Sequence, residues 1–83
     1  MALKVKIYTL STCSHCKAAK KFLIDNGVSF ESTDVDLLSS SERTNILEEV
    51  VRYNPQRSFP TIIIDKKIIV GFREQEIREA LGI

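Results

Sequence analysis

Leu3-Lys4-Val5-Lys6-Ile7-Tyr8, followed shortly by Cys13-Ser14-His15-Cys16, is the stretch that decides how this chain folds. Apolar and charged residues alternate through its first part, which puts Leu3, Val5 and Ile7 on one face of a strand. Ser11-Thr12-Cys13 offers side-chain groups where the chain turns into a helix. From Cys13 to Asn26 the residues Cys16, Ala19, Phe22 and Leu23 fall on one helical stripe, and Lys17, Lys20 and Lys21 lie around the other face. Those lysines read as a solvated face or as a docking surface for an acidic partner. Two cysteines at Cys-x-x-Cys spacing between a strand and a helix have the layout of a thiol–disulfide redox site. The unsatisfied N–H groups and positive dipole end of a helix N-terminus favour a thiolate there over a thiol.

Beyond that core, Asn26-Gly27 predicts a left-handed C-cap, and a second strand is expected over about 28–35, apolar at Val28, Phe30 and Val35. Ser39-Ser40-Ser41-Glu42 reads as a capping box with Ser39 at the N-cap. The helix it opens should run to Tyr53 over Ile46, Leu47, Val50 and Val51, and Asn54-Pro55 should end it. Ser58-Phe59-Pro60-Thr61 links to Ile62-Ile63-Ile64, the turn Asp65-Lys66-Lys67 leads to Ile68-Ile69-Val70, and Gly71 breaks that strand. A last amphipathic helix is expected from Glu74 to Leu81 over Ile77, Ala80 and Leu81, with Gly82 after it. The order is β-α-β-α-β-β-α. It implies an α/β chain of the thioredoxin-like fold, with a four-stranded mixed sheet and helices on both faces.

The 83 residues are expected to form one domain, spanning 1–83. A net charge of +1 gives no electrostatic basis for nucleic acid or an anionic membrane. No apolar run approaches the ~18 residues that a membrane span needs. The alternating start is unlike a signal-peptide core, so a cytoplasmic monomer is the expectation. The only two cysteines would close a loop too short to add much stability, which assigns them to chemistry rather than to a scaffold.

The chain resembles the glutaredoxin family over essentially its whole length. The resemblance rests on Tyr8-Thr9 leading into Cys13-Ser14-His15-Cys16, on Ala19-Lys20-Lys21-Phe22-Leu23, on Phe59-Pro60-Thr61, and on Gly71-Phe72. It implies a cis proline at Pro60 beside the dithiol, leaving the Phe59 backbone to pair with a substrate. It also implies that Cys13 is the nucleophile and Cys16 the buried resolving thiol, acting on protein or small-molecule disulfides. No tightly bound cofactor is implied, and glutathione enters as a possible co-substrate. Thr12, His15, Lys17, Phe59, Pro60, Gly71, Phe72 and Arg73 are the residues expected to line the substrate or glutathione site. His15 stands where the family most often has tyrosine, either as an electrostatic partner or as a polar filler.

Two departures bear on the reductant. Leu10 replaces the lysine that the family places three residues before the first cysteine, and Gly71-Phe72-Arg73-Glu74-Gln75 carries one glycine where a Gly-Gly pair is usual. Gly-Phe-Arg is similar to the small redoxins that serve ribonucleotide reductase and are recharged by thioredoxin reductase. Lys17, Arg57 and Arg73 remain as candidate charges for a carboxylate.

Other readings of the same residues are weaker. Structural zinc wants about four ligands, and His15 inside the loop is the only further candidate, so no metal site is assigned. Thr12-Cys13-Ser14-His15-Cys16 also resembles the loop of small copper-carrying domains, where soft thiolates select Cu(I), but those domains run β-α-β-β-α-β. A cluster bridged between two monomers remains as a secondary role. Phe22, Phe30 and Ile46 are expected in the core, Tyr8 under the sheet, and Phe72 either as a buried anchor or as a contact beside the dithiol.

Overall fold

The structure, a computed structural model, describes residues 4–56 and 58–83, so Leu3 and Arg57 lie outside the described residues. Strand β1 (Val5–Thr9) runs into the cysteine loop, and helix α1 (Ser14–Asp25) follows. Strand β2 (Glu31–Asp34) leads through a short 3-10 turn (Val35–Leu37) into α2 (Ser40–Tyr53). Strands β3 (Thr61–Ile64) and β4 (Lys67–Val70) form a hairpin, and α3 (Glu74–Leu81) comes last. The sheet order is β2-β1-β3-β4, with β1 parallel to β2 and the other two pairings antiparallel. This is the expected mixed sheet of the thioredoxin-like fold. The element order also differs from that of the copper-carrying domains, because a second helix lies between β2 and β3.

Period-two patterning sorts the core onto the two faces of the sheet. Val5, Ile7, Ile62, Ile64 and Ile69 pack with Ala19, Phe22 and Leu23 of α1 and Ile77 of α3. Tyr8 and Ile63 face the other way, onto Val35 and Val50, with α2 as the cover. Each fully buried branched side chain stabilises the fold by roughly 1.5–3 kcal/mol relative to exposure. Both faces are therefore sealed, and α1 is fixed rigidly at the end of β1.

The caps set the helix directions. Gly27 has φ +68°, its N–H donates to Ile24 O at 3.0 Å, and Val28 N–H donates to Leu23 O at 2.9 Å. That pair of bonds is the Schellman ending, which needs a left-handed residue after the cap. Ser39 caps α2, accepting from Glu42 N–H at 3.4 Å while its hydroxyl donates to Glu42 Oε1 at 2.8 Å. Among the described residues no helix is long and apolar enough to cross a membrane.

Four expectations need correction. The second strand is shorter than 28–35, because β2 is an edge strand of polar residues, Glu31-Ser32-Thr33-Asp34. Val28 and Phe30 pack on the core from the loop before it, and Val35 does so from the 3-10 turn after it. Phe30, Ile46, Leu47 and Val51 are half-buried rather than fully buried; Phe30 packs against the α1 side of the core, and Ile46 and Leu47 against the α2 side. The hairpin turn is the two residues Asp65 and Lys66, with Asp65 at φ +53°, and Lys67 already pairs with Ile64. Finally, Lys20 is not a solvated lysine: its ammonium lies 3.0 Å from Asp34 Oδ1.

The registers bring one set of loops together. Thr9 pairs with Asp34, Tyr8 with Thr61, and Thr61 with Val70. The cysteine loop, the turn after β2, the Phe59-Pro60 segment and Gly71 therefore share one end of the sheet.

Candidate active site

Cys13 is itself the cap of α1. It has extended backbone (φ −81°, ψ 119°), and its sulfur accepts a hydrogen bond from Cys16 N–H at 3.3 Å. Cys13 N–H donates back to Leu10 O at 3.1 Å, and Lys17 N–H to Cys13 O at 3.1 Å, so the loop is closed on both sides. The Ser11 hydroxyl, expected to help at the helix start, is used elsewhere. Ser11 N–H donates to Asp36 Oδ1 at 2.9 Å and its hydroxyl to Asp36 Oδ2. A sulfur stands here in place of the usual oxygen cap.

Both cysteines are free thiols, and their exposures differ sharply. Cys13 is half-exposed, whereas Cys16 is 1% exposed. Burial, then the hydrogen bond with Cys13, pushes the Cys16 thiol up to about 12, while a backbone hydrogen bond from Leu10 and the Lys20 charge pull the other way. The pair can thus present one sulfur to solvent and hold the other as a protonated thiol below it.

Under the dithiol lies a polar constellation that the sequence reading missed. The Thr9 hydroxyl donates to Asp34 Oδ1 and to Thr33 O (3.2 Å), and Lys20, one helical turn beyond Cys16, closes on the same carboxylate. The Thr9 hydroxyl first, then Lys20, hold the Asp34 carboxyl below the usual carboxylate range. Asp36 is likewise held low by the Ser11 hydroxyl and N–H. The spacing of Lys20 from Cys16 was a visible signal, because residues four apart share a helix face. The carboxylate partners carried none, since they depend on the β1–β2 register.

The Phe59-Pro60 bond is cis, and Pro60 is fully buried. Pro60 O accepts from Gly71 N–H at 2.8 Å, which joins the two loops. Asn54, itself 1% exposed, braces this segment: its amide donates to Ser58 O (2.9 Å), Ser58 Oγ (3.1 Å) and Thr61 Oγ1 (3.1 Å). Sequence reading gave Asn54 only the role of a helix stop. Phe59 is half-buried and packs with Leu10 against the α2-side core. Among the described residues neither its N–H nor its C=O has a hydrogen-bond partner.

The remaining expected site residues divide. Thr12, His15 and Lys17 are exposed around the cysteine loop. Phe72 is a core anchor, its ring 5.9 Å from that of Phe22, and the Arg78 guanidinium stacks over the Phe22 ring at 4.9 Å. Arg73 turns to its own neighbourhood, donating to Val70 O at 3.2 Å with Glu76 at 3.8 Å. Cys13, Cys16, Phe59, Pro60 and Gly71 are thus gathered at one end of the sheet; Phe72 packs on the core next to Gly71, and the exposed Arg73 side chain contacts Val70 O and Glu76. Among the described residues no group of three or more His, Cys, Asp or Glu side chains is placed to hold a metal ion.

Known proteins are similar to this chain in sequence and fold. The glutaredoxin family model matches residues 5–69. Methanoredoxin from Methanosarcina acetivorans superposes with a TM-score of 0.92 at 54% identity, covering 96% of this chain and 85% of that one. An uncharacterised glutaredoxin-like 8.6 kDa protein of the Clostridium pasteurianum rubredoxin operon is 36% identical over 73 residues, 88% of this chain and 91% of that protein. The glutaredoxin-like protein NrdH of Lactococcus lactis is 29% identical over 73 residues, 88% of this chain and 93% of its own length. With the fold, the half-exposed cap cysteine and the cis proline in place, this chain belongs to the glutaredoxin family and is a redox protein of the thiol–disulfide oxidoreductase class.

Proposed function

We propose that the chain reduces disulfides of proteins or small molecules by a dithiol mechanism. The Cys13 thiolate attacks one sulfur of R–S–S–R′, forming Cys13–S–S–R, and the R′ thiolate leaves and takes a proton. Cys16 then loses its proton and attacks the Cys13 sulfur, releasing the R thiolate and leaving the Cys13–Cys16 disulfide. Two electrons pass from the dithiol to the substrate, and a reductant restores them. The observation that carries this reading is the contrast between the half-exposed Cys13 sulfur at the helix N-terminus and the Cys16 sulfur buried one turn in. The Phe59 N–H and C=O beside Pro60, without a partner among the described residues, are the groups that pair with extended substrate backbone.

The reductant is glutathione or a thioredoxin reductase, and the rim favours the second. Leu10 offers no charge to a glutathione carboxylate and Arg73 contacts Val70 O and Glu76, so the exposed Lys17 is the cation left beside the cysteine loop among the described residues. Glutathione would then be at most a co-substrate, and the protein acts as a monomer without a tightly bound cofactor. The test is NADPH-coupled reduction of a small mixed disulfide, with glutathione plus its reductase in one arm and thioredoxin reductase alone in the other. Turnover with thioredoxin reductase, lost in Cys13→Ser, is the expected result. Turnover only with glutathione would reverse the assignment of the reductant, and turnover that survives Cys13→Ser would remove the nucleophile.

A further inference from the structure

Lys20 differs from the other lysines of α1 in where its charge sits. Lys17 is exposed, and Lys21 pairs with Asp25 in a contact whose side chains are 76% and 57% exposed. Lys20 and Asp34, 3.0 Å apart, are 27% and 29% exposed, so their contact is largely sheltered from solvent. Residues four apart share a helix face, which sets Lys20 one turn along α1 from Cys16. The carboxylate is fixed in turn from β1. The fully buried Thr9 hydroxyl donates to Asp34 Oδ1 and to Thr33 O, and Thr9 and Asp34 are partners in the parallel register. The ammonium is thus tied to the sheet rather than left to swing in solvent.

Cys16 is the group this arrangement serves. Resolution turns its buried thiol into a thiolate, and burial makes that charge costly. The Cys13 hydrogen bond and charge add to the cost, while a backbone hydrogen bond from Leu10 and the Lys20 charge reduce it. Lys20 stands among the principal influences on that thiol and Asp34 does not, so the pair is not electrically silent there. Asp34 is held below the usual carboxylate range, by the Thr9 hydroxyl first and then by Lys20. It is therefore a poor proton acceptor and a lasting counter-charge to Lys20. Asp36, bonded to Ser11, is the further charge beside Asp34.

Resting on the thiol–disulfide reading above, we propose that Lys20 assists resolution through Cys16: its ammonium stabilises the thiolate as it forms, while Asp34, braced by Thr9, holds that ammonium and weakens its field. The step converts Cys16–SH and Cys13–S–S–R into the Cys13–Cys16 disulfide, R–S⁻ and a proton given to solvent. The Cys16 sulfur supplies the electron pair of the new S–S bond, and the R sulfur leaves with the pair of the broken one. Lys20 keeps its proton throughout. The two members of the pair therefore act in opposite senses on one rate, although losing either breaks the same contact in the fold.

The test mixes reduced full-length protein with one equivalent of 5,5′-dithiobis(2-nitrobenzoate) and follows thionitrobenzoate by stopped flow. The first release reports attack by Cys13, and the second reports attack by Cys16. Lys20→Met should slow the second release about tenfold, the scale of one partly sheltered unit charge a few ångströms away. Asp34→Asn should speed it about threefold, and Lys20→Arg, which keeps the charge, should stay within about twofold of wild type. The first release comes from a sulfur about two helical turns from Lys20 and should change by less than about twofold in all three, which shows that the loop is folded. A second release unchanged in Lys20→Met, or unchanged or slowed in Asp34→Asn, would overturn the proposal. A wild type that released only one thionitrobenzoate would instead strike the dithiol reading on which the proposal rests.

Discussion

The burial of Cys16 makes a strong quantitative claim about its reactivity. Its thiol is pushed from 9.0 up to about 12, burial being the first cause. At about pH 8 an ordinary thiol at 9.0 is roughly one-tenth thiolate, whereas one at about 12 is roughly one part in ten thousand. Because alkylation follows the thiolate, folding should slow Cys16 about a thousandfold beyond any steric effect. The Cys13→Ser chain keeps the burial and leaves Cys16 as its single thiol. It loses the Cys13 hydrogen bond and charge that also raise that thiol, so it reads the burial share of the slowing. Iodoacetamide labelling of that chain, native against unfolded in urea, followed by mass spectrometry, measures the ratio directly. A native rate within about tenfold of the unfolded one would refute the burial argument and the division of labour built on it. The sign of the alkaline effect follows from the same shift. Since the folded thiol keeps its proton where the unfolded one has lost it, stability falls as pH rises from about 9 toward 12, by up to about 4 kcal/mol. Resolution still proceeds, because intramolecular attack on an adjacent sulfur gains effective molarities on the order of 10⁵ M or more.

Other parts of the structure give sharper or smaller effects. Asn54→Ala removes the buried amide that bonds Ser58, Thr61 and Gln56 N–H while the Thr61–Ser58 bond stays, and should cost about 1–2 kcal/mol in urea unfolding. Gly27→Ala meets no atom within 4 Å, so only the φ of +68° opposes it, and the loss should be about 1 kcal/mol. The lowered Asp34 carboxyl stabilises the fold above its unfolded value of 3.8, and that share is lost as pH falls through the folded value. Asp34→Asn should therefore flatten the acid limb of the urea midpoint against pH; an unchanged limb would show that the Thr9 and Lys20 contacts contribute nothing.

Element order was legible because most of it rests on periodicity and caps. Alternation marked β1, the Cys16-Ala19-Phe22-Leu23 stripe marked α1, and Ser39 and Gly27 set boundaries that the structure keeps. β2 was not legible in its bounds, because an edge strand needs no apolar face and the flanking Val28, Phe30 and Val35 pack from outside it. The dithiol was plain in sequence, but its surroundings were not. Asp34 and Asp36 meet Thr9, Lys20 and Ser11 only once β1 and β2 pair in parallel. Arg73 looked available because nothing in sequence shows that it bends back to Val70 O.

The central claim is that Cys13 attacks and Cys16 resolves. One equivalent of 5,5′-dithiobis(2-nitrobenzoate) added to reduced protein, with thionitrobenzoate release followed by stopped flow and the adduct mapped by mass spectrometry, tests it most directly. The wild type should release two thionitrobenzoate ions and end as the Cys13–Cys16 disulfide. Cys16→Ser should release one and carry the adduct on Cys13, and Cys13→Ser should react far more slowly. A stable adduct on Cys16, or fast release from Cys13→Ser, would contradict the account.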